Sequence, residues 1–268
     1  MGPPLEYTRR RGLRFGVAIV GVLLTAAAFP FDGAINGFAT GAFDALGGDL
    51  RRELEAWQQF GAVVSVLVVG ACVWLLDPLR RGRLLDLLLA WALVGLAVQG
   101  LKVLLGRPRP RLGDPQWLPG PLGSTPLAGA DPPGVYHAWD VLAPIGSDLW
   151  SMPSSHTSAA VVLATFLAVV YPRLIPLVAV LAGVVGLGRV LTGAHWLSDV
   201  VLGAAIAWPL AHAAVSGWWG VRGLDAIWVR FVDRDADPRY VRMRGEMQGC
   251  TNGRAAGRAQ GRVADGPG

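Results

Sequence analysis

The chain has 268 residues, 53% of them hydrophobic and 16% charged, with a mean hydropathy of +0.43 and a formal net charge of +5. A soluble domain carries about 25% charged residues. Here long apolar runs alternate with short Arg-rich breaks, a pattern that speaks against a soluble globular fold. A basic balance can mark nucleic-acid binding, but these Arg clusters sit beside apolar runs of spanning length, so no nucleic-acid partner is expected.

In chain order six spans are expected: Phe15 to Phe31, Phe60 to Leu76, Leu84 to Leu105, Ser155 to Val170, Leu174 to Val190 and Trp196 to Val215. Each is near the ~20 residues that cross a hydrocarbon core, the fourth and fifth being short. The first has the basic front of a signal peptide, but Phe29-Pro30-Phe31-Asp32 follows in place of a small-residue cleavage site, so it reads as a retained anchor. The expected fold is all-α, a polytopic six-helix membrane bundle over residues 1–220. A polar Arg/Gly-rich tail over 221–268 is expected to be disordered. Cys72 falls in an apolar run and Cys250 in that tail, so neither a disulfide nor a metal cluster is expected.

Arginine placement sets the expected orientation. Arg9, Arg10, Arg11 and Arg14 precede the first span, and Arg80, Arg81 and Arg83 separate the second from the third. Arg173 lies between the fourth and fifth, and Arg222, Arg230, Arg234, Arg239, Arg242 and Arg244 follow the sixth. An even number of spans puts all four groups in the cytoplasm. The outer side then receives Asp32 to Trp57, read as a short surface helix, a long loop from Gly106 to Pro153, and the turn at Thr192-Gly193-Ala194. Arg107, Arg109 and Arg111 break the charge rule in the long loop, and anion binding would explain the exception.

Three groups of ionisable residues fall at the outer ends of spans. The first is Lys102, six residues, then Arg109-Pro110. Alone it reads rather as side chains snorkelling to headgroups than as a binding site. The second is Pro153-Ser154-Ser155-His156, where Ser154 can cap a helix whose first N–H groups point at an anion; alone, it can be only a cap. The third is Arg189, five residues, His195, three residues, Asp199. His195 and Asp199 are four apart and share a helix face. A carboxylate on one imidazole nitrogen fixes the tautomer and leaves the other nitrogen to attack. A His–Asp tether for the turn is the bland alternative. Taken together, three cations fit a phosphate dianion, one His can attack and the other can protonate a leaving oxygen.

These groups resemble the three-part signature of the type 2 phosphatidic acid phosphatase (PAP2) superfamily, from about Phe60 to Val215. The resemblance implies that Lys102, Arg109 and Arg189 bind phosphate, with Ser154 and the N–H groups of Ser155 and His156 holding its oxygens. It further implies that His156 is the general acid, His195 the nucleophile and Asp199 its orienting partner, and that no metal or other cofactor is needed. Two positions depart from the pattern. Ser155 stands where the family usually has Gly, and Gly188 where it usually has Ser.

The implied activity is hydrolysis of a lipid phosphate or diphosphate through a phosphohistidine, at the outer or periplasmic face of a bacterial inner (plasma) membrane. The substrate can be of the phosphatidate, phosphatidylglycerophosphate or isoprenoid diphosphate type. A lipid phosphotransferase using the same intermediate is the alternative. The soluble vanadium haloperoxidases of that family are larger. A transporter would place its charges near the bilayer midplane within repeated halves, and neither is present here. The expected partners are the lipid substrate and membrane lipids; oligomeric state is left open. Arg107 and Arg111 read as aids to anion attraction. His137 and His212 read as bystanders, and Tyr136, Trp139 and Trp150 as interfacial anchors or shapers of substrate access.

Overall fold

The computed structural model describes residues 5–112, 115–127, 133–140, 142 and 147–234, with the backbone alone for 5–11. Helix α1 (Leu5–Ala28) passes through a 3-10 turn at Phe29–Phe31 into α2 (Asp32–Asp44). The surface helix expected over this stretch is thus two helices, α2 and the polar α3 (Gly48–Trp57). A 3-10 turn at Gln58–Gly61 leads into α4 (Val63–Leu76), with a bend of 63° at the break. Helix α5 (Leu84–Leu105) follows. A small hairpin, β1 (Ser124–Leu127) and β2 (Gly134–His137), pairs antiparallel with Ser124 opposite His137. Helices α6 (Ser155–Val170), α7 (Ile175–Leu191), α8 (Leu197–Ser216) and α9 (Trp219–Phe231) complete the described chain.

Helix α6 is the axis of the fold. Ala160, Val162, Leu163 and Phe166 are fully buried, and α5, α7 and α8 all pack around it, while α1 lies against α8. Small residues let membrane helices approach closely, since lipid supplies no hydrophobic drive to bring them together. Gly203 is one such point. A Cβ there would come within 2.8 Å of the Ser154 carbonyl oxygen and 3.0 Å of Ser158 Oγ. Ser158 Oγ donates across the gap to the Gly203 carbonyl at 3.1 Å. This approach seats the start of α8 on the start of α6, and Ser154 N–H donates to the Asp199 carbonyl at 3.0 Å.

Outward-facing residues stay apolar, as hydrocarbon contact requires: Leu23, Leu67, Leu75, Leu96 and Val180 are all well exposed. Among the described residues, four helical stretches are long and apolar enough to cross a membrane: Gly12–Asp44, Pro78–Leu112, Pro172–Leu191 and Leu197–Ser216. A fifth results if the bent pair Gly48–Gly61 and Val63–Leu76 is one span. The remaining expected span is α6, whose 16 residues reach only ~24 Å at 1.5 Å per residue. Sheathed by α5, α7 and α8, it has little need to match the bilayer thickness.

Beyond α8 the polar segment begins as a helix. The N–H groups of Gly220 and Val221 donate to Asp86 Oδ1 at 2.7 and 3.2 Å. Asp86 also pairs with Arg83 at 2.9 Å, and the Arg83 guanidinium lies 3.8 Å over the Trp218 ring. Helix α9 is thereby clamped to the start of α5. The rest of the expected tail, from residue 235, lies outside the described residues.

Candidate active site

The alternating direction of α5 to α8 brings all three sequence groups to one end of the bundle. Lys102 lies in the last turn of α5, buried, with Nζ donating to the Trp150 carbonyl. Arg109 is half-buried in the segment that follows. Its Nε and Nη2 donate to the carbonyl and hydroxyl of Ser147, both at 3.0 Å, and its Nη1 to the Ala194 carbonyl at 3.3 Å. Ser154 caps α6: its Oγ accepts from Thr157 N–H at 3.5 Å and from Thr157 Oγ1 at 3.1 Å. The Ser154 hydroxyl is thus buried and held by the helix, while Ser155 is exposed and His156 half-buried.

Arg189 sits in the last turn of α7, where its carbonyl accepts from the N–H groups of Ala194 and His195 at 3.1 and 3.0 Å. The intervening turn needs a left-handed residue, and Gly193, with φ +62°, supplies it. This folds His195 back over the start of α8. His195 is buried, with Nδ1 3.4 Å from Asp199 Oδ2. Burial pushes the imidazole pKa down from 6.5 to about 4; Asp199 opposes that shift, while Lys102 and Arg109 add to it. The ring is therefore neutral near pH 7. The network assigns the proton to Nδ1, facing Asp199, and leaves Nε2 with a lone pair. Arg109 and the Arg189 backbone both meet the Ala194–His195 turn, Lys102 Nζ reaches Trp150 beside Ser151, and the charges of all three act on His156, so the cations lie around one locus.

Six residues that the sequence reading did not place in the site hold it together. Arg107 is completely buried. Its Nη1 donates to Asp199 Oδ1 and to Ser198 Oγ, both at 2.7 Å, its Nη2 to Asp32 Oδ2 at 2.7 Å, and its Nε to the Pro115 carbonyl at 3.1 Å. Phe29 and Trp196 flank the guanidinium, 4.5 and 5.4 Å from ring centre to Cζ. This corrects the reading of Arg107 as an aid to anion attraction, because its charge is spent inside the protein. Asp32, also buried, accepts from Ser198 N–H at 2.9 Å. Ser151 Oγ donates to Asp199 Oδ2, and Trp196 N–H donates to the same oxygen at 3.0 Å. Gln58 Oε1 accepts from Arg189 Nη1 at 3.2 Å.

Only Asp32 carried a signal that sequence could have used. It is a lone acid at the edge of an apolar run, and such residues demand a partner. Arg111 pairs with Asp148 at the rim. The bystander histidines lie apart: His137 Nδ1 is 3.0 Å from the Gly123 carbonyl, and His212 accepts from Arg14 Nε at 3.0 Å near the opposite end of α8. Among the described residues, no group of three or more His, Cys, Asp or Glu could hold a metal ion.

A sequence model of the PAP2 superfamily matches residues 83–222, just over half of the chain and all three groups. The chain belongs to the PAP2 superfamily. A solved PAP2-type phosphatidylglycerolphosphate phosphatase from Bacillus subtilis superposes with a TM-score of 0.52 at 21% identity, covering 76% of this chain and 94% of that one. The LpxE structure from Aquifex aeolicus superposes with a TM-score of 0.48 at 18% identity, covering 67% and 93%. No curated protein sequence gives a significant match. The first structure supports the shared fold. The family match begins at Arg83, so Asp32 and Gln58 reach the site from outside it.

Proposed function

We propose that this PAP2 protein is a metal-independent lipid phosphatase that hydrolyses a phosphate or diphosphate ester at the outer face of the membrane, through a phosphohistidine on His195. The observation that carries the reading is an adjacency. The buried, neutral His195 with its Asp199 lies where three cations converge, and His156 beside them also lines an apolar cavity of about 430 Å³. That cavity runs between α4, α5 and α6, from Ser155 and His156 past Val98 and Val94 to Val162. A phosphate at the cation cluster would leave its lipid chain beside Val94 and Val98. The B. subtilis protein's phosphatidylglycerolphosphate is one substrate of this type.

The proposed reaction has two steps. His195 Nε2 forms a bond to phosphorus as the bond from phosphorus to the lipid oxygen breaks. Lys102, Arg109 and Arg189 neutralise the equatorial oxygens, and His156 gives its proton to the departing oxygen. Asp199 stabilises the positive charge that grows on the His195 ring, as an orienting carboxylate does in hydrolytic triads. Water, deprotonated by His156, then attacks phosphorus and the P–N bond breaks, returning His195. In this reading α4 and α6 complete six spans, both termini lie in the cytoplasm, and the site faces outward, because the Arg groups alternate that way.

The experiment is rapid quenching of purified protein with a lipid phosphate labelled on phosphorus, in EDTA. Acid-labile, base-stable label should form on the wild type and vanish, with turnover, in His195→Ala. Normal turnover by that variant, or activity lost in EDTA and restored by Mg²⁺, would refute the reading.

A further inference from the structure

Arg189 is held differently from the other two cations. Lys102 and Arg109 donate to main-chain carbonyls of the loops around them, and Arg109 also to the Ser147 hydroxyl. Arg189 donates from Nη1 to a side-chain amide, that of Gln58, at 3.2 Å. Its Nε is buried and, among the described residues, has no hydrogen-bond partner. A buried donor without an acceptor is costly, and an anion oxygen would satisfy it. Gln58 itself is only 5% exposed.

The space that Gln58 occupies explains a feature of α7. A Cβ on Gly188 would lie 2.6 Å from Gln58 Cγ, 2.8 Å from Cδ and 3.1 Å from Nε2. The clash falls on the middle of the amide side chain, which cannot move without surrendering Arg189. The far end of the same 3-10 turn is equally tight: a Cβ on Gly61 would lie 2.3 Å from the His156 carbonyl oxygen. The turn Gln58–Gly61 is therefore wedged between the end of α7 and the start of α6. It contacts both the Arg189 side chain and the backbone of the His156 turn.

We propose that Gln58 is a positioning residue that fixes the Arg189 guanidinium for the substrate phosphate, and that Gly188 is the vacancy that admits it. This rests on the phosphatase reading only in naming the anion a phosphate. The absence of a side chain at 188 is then no loss to the site, because a residue more than a hundred positions away provides the polar contact. Bound in this way, the fork keeps Nε for an anion oxygen and loses its freedom to swing. A guanidinium that is pre-organised gives up less on binding.

The test is a set of variants read by vanadate binding to purified protein, by thermal stability without ligand, and by steady-state kinetics. Gln58→Met keeps the volume and removes the acceptor. It should weaken vanadate binding about tenfold, the factor for one lost hydrogen bond to a charged group, and raise KM more than it lowers kcat, with the ligand-free Tm unchanged. Gly188→Ser should lose a similar factor by displacing Gln58. Gln58→Ala with Gly188→Ser should bind vanadate better than the product of the single losses predicts, because the serine then has room. Wild-type vanadate affinity in Gln58→Met, or losses that simply multiply, would overturn the proposal. So would a variant whose Tm falls while its vanadate affinity holds, the mark of a merely structural residue. Normal vanadate binding without turnover of any lipid phosphate would sink the phosphatase reading alone. A wild-type protein that does not bind vanadate would sink both.

Discussion

Arg107 and Arg109 lie two residues apart, on either side of Pro108, and belong to opposite halves of the site. Arg107 faces inward, where Asp32, Ser198, Asp199 and a carbonyl use its donors and two aromatic rings cover its faces. Arg109 faces the mouth, half-buried, held by neutral oxygens of Ser147 and Ala194. An arginine whose charge is met by carboxylates can do nothing for an incoming anion. One held only by neutral acceptors keeps its charge available. The inner half supports the His195–Asp199 pair, and in the proposed reaction the outer half receives the phosphate. A regular strand would put residues two apart on the same face; the segment 106–109 is irregular, and there two arginines identical in type diverge.

The sharpest way to break the comparison is to remove Arg107. Asp32 and Asp199 would then be buried with no guanidinium between them, and breaking a buried pair from one side costs about 3–5 kcal/mol. Arg107→Ala should therefore lower Tm strongly and abolish activity together, as followed by thermal unfolding in detergent. Arg107→Lys should recover little, because one ammonium cannot reach Asp32, Asp199 and Ser198 at once. A stable, active Arg107→Ala would show that the inner half is dispensable.

Arg109→Ala tests the other half. It removes no carboxylate partner from the core, so Tm should stay near the wild-type value. The loss should fall on kcat/KM, by roughly 10²- to 10³-fold, the usual scale for one donor aimed at developing charge. A Tm loss equal to that of Arg107→Ala would erase the distinction between the halves.

The outer half was legible in the sequence and most of the inner half was not. Lys102, Arg109, His156, Arg189 and His195 were singled out because three ionisable groups coincide at the ends of apolar spans, and the structure brings them to one end of the bundle. Asp199 was found by its four-residue offset from His195, and the two do meet, at 3.4 Å. Ser154 was given a role on phosphate; its hydroxyl oxygen also accepts from Thr157 at the start of α6. Arg107 was read as an aid to anion attraction, because nothing in a loop of prolines signals its burial. Its partner Asp32 comes from 75 positions away, and Gln58 meets Arg189 across 131. Such contacts follow from how α2, α3 and the Gln58 turn fold over the bundle, which no local pattern encodes. The helices themselves were legible from apolar runs, but not that the second expected span bends or that α6 is sheathed.

A third measurement sharpens the comparison at the point where the halves meet. His195 is backed by Asp199 and faced by Lys102 and Arg109, and burial holds its pKa at about 4. Lowering the pH should leave the ring neutral through pH 6.5, where an exposed histidine is half protonated, and charge it only near pH 4. The ¹⁵N resonance of labelled histidine that disappears in His195→Ala should report that midpoint. Because the folded value lies below the unfolded one, protonation of this group should cost stability as pH falls below about 6.5. A midpoint at or above 6.5 would mean that Asp199 outweighs burial, and that the resting nucleophile is an imidazolium.

The smallest effect belongs to the third arginine of the segment, Arg111. It too was read as an aid to anion attraction, and its side chain is 67% exposed at the rim. Yet it pairs with Asp148, whose carbonyl accepts from Arg109 N–H at 2.9 Å. Arg111→Ala thus removes one positive charge and uncovers one negative charge close to Arg109. Both changes oppose an incoming phosphate, but both lie in high dielectric, where an exposed pair is worth about 0–1 kcal/mol. Activity should fall by no more than about fivefold at low ionic strength, by way of kcat/KM, with Tm unmoved. In about 1 M salt, where charges are screened over ~3 Å, the difference should disappear. Asp148→Asn makes the control, since it leaves Arg111 in place without its partner and should raise kcat/KM slightly under the same low-salt conditions. A loss of a hundredfold in Arg111→Ala that survives high salt would put Arg111 in contact with phosphate beside Arg109, and the outer half of the site would then hold four cations where three are drawn.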